Sequence, residues 1–438
     1  MITRGRLKLS SRFLRLSKEG FWIVLGQALA VLGPLVGMRL ITELLTPASY
    51  GELALGMTVA TLVNQTMLGP LGNGVTRFYG PAQELNDLAA YIRAVRRLLV
   101  RATLLIMLLL CCFVAALLIA YRIPWIPITV AAFFLAILSG YNAILSGIQN
   151  AARQRSIVAL HQGMESWIKV LFALGLLLWF GVSSSVVMAG YAVGLIFVLG
   201  SQCLFLKKIA CEKENIHTQE RNWQEQIWRF SWPFATWGIF YWAQSASDKW
   251  ALGLFASPHE IGLYSVLFQL GYSPMAMATG MAMQFLSPIV YRRAGDAADH
   301  QRNKNVSKVS WYLTAAALGL TSIVFVTVHL FHVQIFKIFV AREYASVSHL
   351  LQWMVLASGL FACGQTLSLN LLSQLKPRVM MKVTIYTSIL GIAANFLGAF
   401  YFGIQGVILA GILFSALYFG WTAWLSRKVE MVGLPPSK

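Results

Sequence analysis

Three ionisable residues recur at helical spacing inside an otherwise apolar stretch. His161, Glu165 and Lys169 lie four residues apart within residues 157–180, so a helix would place them on one face. At 1.5 Å per residue, Glu165 lies about 13 Å and Lys169 about 20 Å from the start of that stretch. Both positions fall near the middle of a bilayer, where charged groups face a cavity or a partner. The pattern indicates a polar functional site or a Glu165–Lys169 ion pair that neutralises itself.

The composition excludes a soluble protein. Of the 438 residues, 58% are hydrophobic and only 12% are charged, and the apolar runs are long enough for about twenty residues per membrane crossing. We predict an all-α polytopic membrane protein with twelve spans, near 20–41, 53–76, 98–120, 125–147, 157–180, 186–206, 229–247, 259–283, 308–331, 347–372, 380–402 and 405–426. The basic N-terminus followed by apolar residues 21–40 predicts an uncleaved first helix.

The positive charge is distributed unevenly along these spans. If the N-terminus is cytoplasmic, 29 of the 35 Lys and Arg residues fall in inner segments and four in outer segments. This asymmetry predicts that both termini face the cytoplasm. It also explains the net charge of +19 without a nucleic-acid partner. The segments near 207–228 and 291–307 are expected to be solvated inner loops, and the longest outer loop is expected near 332–346.

The two halves of the chain repeat. Thr46–Gly51 and Ser257–Gly262 are similar and lie 211 residues apart, and Phe180–Val182 matches Phe402–Ile404. The eleventh and twelfth spans touch at Phe402–Ile404, which predicts a tight helical hairpin. Two six-helix bundles of equal orientation would be related by an axis along the membrane normal. We predict bundles at 1–210 and 229–438, joined by a cytoplasmic linker at 211–228.

The repeat brings a second set of charges into correspondence. Arg39 lies near the outer end of the first span, and Asp248 and Lys249 lie near that of the seventh. The alignment places Arg39 and Asp248 across the pseudo-axis, so we predict a pair that closes an outer gate in one conformational state. The alternative is that these side chains extend to the lipid headgroups.

Arginines surround the second inner segment, and their guanidinium groups bind phosphate in a bidentate manner. They are Arg77, Arg93, Arg96, Arg97 and Arg101. Arg77 is the strongest anion-binding candidate because it follows a helix expected to break at Gly69–Gly74. Attraction to the anionic leaflet is the alternative for the whole group. Pro274 and Gly280 interrupt the eighth span at a matching place, which indicates moving helices or close helix packing.

The seventh span is rich in aromatic residues. Trp237, Tyr241 and Gln244 share one helix face, and such a face suits sugar rings, although packing against lipid gives the same pattern. The sequence has no phosphate-binding loop, no hydrolase or metalloprotease motif and no clustered metal ligands. We therefore expect no enzyme activity, no cofactor and no metal.

These residues resemble a known family. The sequence is similar to polysaccharide flippases of the Wzx type, in the multidrug/oligosaccharidyl-lipid/polysaccharide (MOP) exporter superfamily. The similar segments are Leu44–Gly51, Asp248–Gly253, Ile261–Ser265, Phe285–Ile289 and the region that runs from Glu343-Tyr344 through Leu372-Ser373 and Lys376–Arg378 to Ala410-Gly411. The resemblance implies two six-helix bundles around a cavity that opens to alternate sides. It also implies a bacterial inner-membrane location and a polyprenyl-diphosphate-linked oligosaccharide as cargo, for O-antigen, capsule or exopolysaccharide assembly.

Given that resemblance, site roles follow as expectations. Lys169, with His161, Arg77, Arg39 and Lys249, would attract the diphosphate, and Glu165 would tune Lys169 or take a proton. Polymerase and chain-length proteins are the expected partners. Two alternatives remain open. A cation-coupled drug antiporter of the same superfamily would prefer an acidic cavity, whereas the candidate charges here lean positive. A polysaccharide polymerase or glycosyltransferase would need a sizeable outer loop, which the sequence lacks.

Overall fold

The computed structural model describes residues 26, 28–210, 222–294, 299–374 and 377–432, and the N-terminal basic segment lies outside them. Within these ranges every regular element is helical, which confirms the all-α fold. The helices are α1 (28–44), α2 (Pro47–Val63), α3 (Gly69–Glu84), α4 (Leu88–Ile119), α5 (Ile126–Ala151), α6 (Arg155–Phe180), α7 (Ser184–Ala210), α8 (Trp223–Phe255), α9 (Pro258–Leu267), α10 (Ser273–Ala294), α11 (His300–Phe339), α12 (Leu351–Ser373) and α13 (Pro377–Val432).

Several helices have the length and the apolar composition of membrane spans. In the described part, seven helices are long and apolar enough to cross a membrane. One of the seven, Val379–Lys428, contains two helices of α13 that meet at Gly403. Gly403 has φ 56° and ψ −132°, a backbone conformation that only glycine adopts without strain. The backbones of Gly398 and Gly406 touch on either side of the turn. The predicted hairpin is therefore confirmed, and its sequence match Gly181 also has a positive φ of 86°.

The helices form two compact units. The first contains the chain up to Leu45 together with Leu55–Trp242, and the second contains Thr46–Ala54 and the chain from Ala243 onward. Helices α2 and α8 thus contribute residues to both. Most of the predicted linker, 211–221, lies outside the described residues, while α8 already begins at Trp223. The predicted bundle boundaries stay a prediction, as does the cytoplasmic position of the termini.

Prolines alter the backbone hydrogen bonding between α2 and α3 and between α9 and α10, but the chain stays helical. Five-residue π-helical turns, Asn64–Leu68 and Phe268–Tyr272, come directly before Gly69-Pro70 and Ser273-Pro274. The proline nitrogen has no hydrogen to donate, so the hydrogen-bond ladder widens ahead of it. Gly69 and Ser273 accordingly donate to the carbonyl oxygens five residues back. The predicted break at Gly69–Gly74 is wrong, because helix continues through this stretch to Glu84.

The two repeat motifs contact each other inside the second unit. A Cβ atom on Gly51 would overlap the Pro258 carbonyl, and one on Gly262 would overlap the equivalent Pro47 carbonyl. The motifs also begin their helices in the same way. Ser257 and Glu260 form a capping box, and the Thr46 hydroxyl accepts from the Ser49 amide at 3.3 Å. The repeated glycines therefore allow the starts of α2 and α9 to cross in close contact.

Two expected loops are largely helical. The segment predicted as the longest outer loop, 332–346, is occupied by the end of α11 and by a 3₁₀ helix, Arg342–Leu350. The predicted inner loop 291–307 contains the last turn of α10 and the start of α11. The Asp299 carboxylate caps α11 by accepting from the amides of Gln301 and Arg302. These helix ends were not predicted, because the solvated end of a helix is as rich in charged and amide residues as a loop is.

Candidate functional site

The structure brings Glu165 and Lys169 together on α6. Their side chains form an ion pair and are half-buried, with 21% and 25% of the side-chain surfaces exposed. Asn142 on α5 donates its amide to the other carboxylate oxygen, Oε2. Both oxygens of Glu165 therefore have a partner. The ion pair expected from the spacing is present at the contact between α5 and α6 within the first unit. Its role in binding or transport stays a prediction.

His161, one turn before Glu165, connects α6 to α7. It is buried, its Nδ1 lies 2.8 Å from the Ile157 carbonyl, and its Nε2 lies 3.0 Å from the Ser201 hydroxyl. A carbonyl oxygen only accepts, so Nδ1 carries the hydrogen, and in the neutral ring Nε2 accepts from Ser201. The ring edge also packs on Phe205, with 5.6 Å between centroids. The imidazole is thus engaged in helix packing, and its binding of cargo stays a prediction.

Sequence reasoning missed a set of polar residues beneath this pair. Asn142, Ser146 and Gln149 follow one face of α5, and Gln202 lies opposite on α7; all four are buried. The Gln202 amide donates to the Ser146 hydroxyl at 3.1 Å. We call these four residues the polar column. The sequence does contain a signal, because three polar residues share one face of an apolar helix. Their significance is evident only when the structure places Gln202 of α7 beside them.

Asp248 and Lys249 form a second buried ionic cluster in the second unit. The Asp248 carboxylate lies 3.1 Å from the Lys249 ammonium and accepts a hydrogen bond of 2.8 Å from the Tyr264 hydroxyl. The Lys249 ammonium also lies 4.2 Å from the ring centroid of Phe268 and 5.6 Å from that of Tyr264. A carboxylate and two aromatic faces therefore stabilise this ammonium. Phe268 begins the π-helical turn before Pro274, so the interruption found in the sequence positions part of the cluster.

Arg39 forms an i, i+4 ion pair with Glu43 on α1. Arg39 belongs to the first unit and Asp248 to the second. The gate between Arg39 and Asp248 stays a prediction.

The remaining arginine candidates are exposed. Arg77 lies on α3, and the others lie in the first half of α4, which begins ten residues ahead of the predicted span. These four are Arg93, Arg96, Arg97 and Arg101. Their exposure suits either phosphate binding or interaction with lipid headgroups, so their role stays a prediction.

The aromatic candidates lie on an exposed face of α8. Trp237 and Tyr241 are 41% and 51% exposed, and Gln244 is half-buried. The next residue, Gly238, faces inward, and a Cβ atom there would overlap the Gln65 carbonyl in the π-helical turn. Close packing of α8 on that turn fixes which aromatic side chains are turned outward. Contact between these rings and a glycan stays a prediction.

The possible metal ligands are dispersed: no group of three His, Cys, Asp or Glu residues within the described ranges could hold a metal ion.

Comparison with known proteins gives the family. Residues 16–293 match the sequence model of the family described as polysaccharide biosynthesis protein, and this range is more than half of the chain. The chain belongs to the polysaccharide biosynthesis protein family. No curated protein sequence matches it.

The fold of this polysaccharide biosynthesis protein is similar to that of several solved transporter structures. An inward-facing multidrug resistance MATE transporter of the MOP superfamily matches with a TM-score of 0.65 and 14% identity, covering 94% of this chain and 96% of that one. The lipid II flippase MurJ, in an inward closed conformation, matches with a TM-score of 0.66 and 11% identity, covering 93% and 87%. A MOP superfamily transporter from Pyrococcus furiosus, whose structure is described as having a binding pocket of reverse polarity, gives 0.57 and 13%, covering 96% of each chain.

These likenesses confirm the resemblance at the level of family and fold. The protein is a multi-pass membrane protein with the MOP transporter fold.

Proposed function

We propose that this protein moves polyprenyl-diphosphate-linked oligosaccharides across the bacterial inner membrane by alternating access, for O-antigen, capsule or exopolysaccharide assembly. The observation that carries the proposal is the polysaccharide biosynthesis family match on a chain with a transporter fold. The likeness to a lipid II flippase supports a lipid-linked cargo. In this proposal both termini face the cytoplasm, and polymerase and chain-length proteins receive the exported units.

The charges inside apolar helices support an anionic cargo. Lys169 and Lys249 are each held by a carboxylate, and a lysine ammonium is a compact point charge with three donors. A diphosphate brings two or more negative charges and competes well with a single carboxylate for such a group. In the proposal each of the two units therefore contains one lysine that binds the diphosphate when its ion pair with the carboxylate opens.

A drug antiporter is the second candidate, because the MATE likeness covers nearly the whole chain. Its cargo would be cationic and would need carboxylates that are not already neutralised. Glu165 and Asp248 are each paired with a lysine, which disfavours this candidate.

Deletion of the gene with analysis of the lipid-linked sugars tests the proposal. Accumulation of a polyprenyl-diphosphate-linked sugar on the cytoplasmic side is the expected result. Unchanged glycan together with increased drug sensitivity would support the antiporter and refute the flippase.

Complementation with lysine variants tests the role of the Lys169 ammonium. Lys169→Ala should reduce export more than Lys169→Arg, because arginine keeps the positive charge. Lys304→Ala is the matched control, since Lys304 is exposed on α11. Normal export in both Lys169 variants would remove that residue from the mechanism.

A further inference from the structure

The polar column connects the end of α5 with the Glu165–Lys169 pair. Gln149 lies two residues before the end of the helix, Ser146 one turn deeper and Asn142 another turn deeper, where it reaches Glu165. All three lie on one face because their spacing is i, i+4, i+7. Gln202 closes the column from α7 through its bond to Ser146. Polar side chains therefore recur along one face of α5 in the apolar core of the first unit, and the deepest of them, Asn142, bonds to a carboxylate.

Several atoms of this column have no hydrogen-bond partner among the described residues. They are Asn142 Oδ1, Gln149 Nε2, Gln149 Oε1 and Gln202 Oε1. Buried amide groups are nearly always satisfied, and where protein groups do not satisfy them ordered water does. Four such atoms along one line provide the donors and acceptors that a file of water molecules needs. The column thus has the chemistry of a hydrated path to Glu165.

The chemistry of the pair decides which ion such a path serves. Glu165 has one oxygen against the Lys169 ammonium and the other against the Asn142 amide. A sodium ion needs several oxygen ligands and would have to displace the ammonium and the amide hydrogens from both carboxylate oxygens. A proton needs only one oxygen. Protonation makes Glu165 neutral and removes the charge that holds Lys169.

Few other charged groups act on Glu165. On α6 itself they are His161 and Lys169, while Arg155 lies ten residues before Glu165, about 15 Å away along the helix. Helix α1 packs on α6 through Gly33 and Gly37 and carries Arg39 and Glu43, which are paired with each other. Residues 126–151 of α5 and 184–205 of α7 contain no Asp, Glu, Lys, Arg or His. Lys169 is thus the dominant charge at Glu165, and protonation of Glu165 converts a neutral pair into a free cation.

We propose that Glu165 is a proton-binding site reached by water in the polar column, and that its protonation releases Lys169 to bind the diphosphate group of the cargo. The identity of the anion rests on the proposed function, whereas the proton site does not. The step is balanced: one proton is added to the Glu165 carboxylate, the ion pair opens, and the ammonium pairs with a phosphate oxygen. Loss of the proton reverses it.

Binding of a defined anionic lipid tests the release of Lys169. Undecaprenyl diphosphate without a glycan is titrated into the purified full-length protein between about pH 4 and pH 8. The wild type and Glu165→Gln should bind equally tightly at low pH, where Glu165 is protonated in the proposal. At high pH Glu165→Gln should bind about tenfold more tightly than the wild type, and this comparison at each pH cancels the titration of the lipid's own phosphate. Lys169→Met should bind weakly throughout, and Lys169→Arg should behave like the wild type. Wild-type and Glu165→Gln proteins whose affinities change equally with pH would overturn the proposal.

Infrared difference spectroscopy tests the proton site without any ligand. Lowering the pH should produce a carboxylic acid band in the wild type that is missing in Glu165→Gln. After a pH jump, Gln149→Leu and Gln202→Leu should delay the band, whereas Asn150→Leu should not, because Asn150 is exposed beside Gln149. No Glu165 band, or no delay in either glutamine variant, would refute the hydrated path. A normal Glu165 band in a protein that does not bind the lipid at any pH would refute the proposed function and leave the proton site standing.

Discussion

A buried hydrogen bond holds the start of α8 against the turn between α3 and α4. The Trp223 indole Nε1 donates to the Asp87 carboxylate at 2.6 Å, and both side chains are buried at the turn between α3 and α4. The Trp223 ring also packs edge-on against Phe78 and Tyr91, with centroid distances of 6.4 and 6.2 Å. Tyr91 is fixed in turn by its hydroxyl bond to the Val75 carbonyl. These contacts hold the first residue of α8 against the turn between α3 and α4.

Trp223→Phe should weaken this attachment by the value of one charged hydrogen bond. The phenylalanine ring keeps the aromatic contacts, while the buried carboxylate loses its donor, which costs about 1.5–3 kcal/mol. That free energy corresponds to a roughly ten- to 150-fold increase in local opening of the helix. Asp87→Asn should cost less, about 1 kcal/mol, because the amide oxygen still accepts from the indole.

Amide hydrogen exchange across Trp223–Trp242 measures the effect. Trp228→Phe is the matched control, because Trp228 lies on the same helix and is 58% exposed. Exchange in the control should equal that of the wild type. The reasoning is refuted if Trp223→Phe exchanges like the control, or if Asp87→Asn opens the helix more than Trp223→Phe does.

Three further substitutions test packing and charge elsewhere. Gly51→Ala should lower the stability of the folded protein by about 1–3 kcal/mol, read as a lower melting temperature in detergent, because the added methyl meets the Pro258 carbonyl. Gly403→Ala should cost about 1–3 kcal/mol in the same assay, because its backbone conformation is strained for any residue with a Cβ. Lys249→Met should cost about 3–5 kcal/mol, because it leaves the buried Asp248 carboxylate without its cation.

Each of these has a control in the chain. A Cβ atom at Gly80 or Gly420 meets no described atom within 4 Å, so Gly80→Ala and Gly420→Ala should leave the melting temperature unchanged. Addition of Asp248→Asn to Lys249→Met should recover most of the lost stability, since no buried charge remains. Equal melting temperatures for the glycine test variants and their controls, or no recovery in the double variant, would contradict the packing and charge arguments.

Local chemistry made much of the fold predictable. Membrane spans are visible in sequence because about twenty consecutive residues must be apolar wherever the bilayer surrounds them. The Gly403 hairpin and the Glu165–Lys169 pair are also local, since one depends on a single backbone conformation and the other on residues four apart in one helix. The repeated motifs at Thr46 and Ser257 were recognisable because both are helix starts with similar capping chemistry.

The sequence by itself determined the apolar helices, their hairpin and the pairing of charges along one helix, because each depends on neighbours within a few residues. Only the tertiary structure decided that Gly51 and Gly262 cross in contact, that Tyr264 and Phe268 surround the Lys249 ammonium, and that Gln202 completes a line begun on α5. It also decided that helix continues past Pro70 and Pro274 through π-helical turns. Contacts between helices depend on which faces meet, and a polar residue in an apolar helix has a meaning only once its neighbour is known.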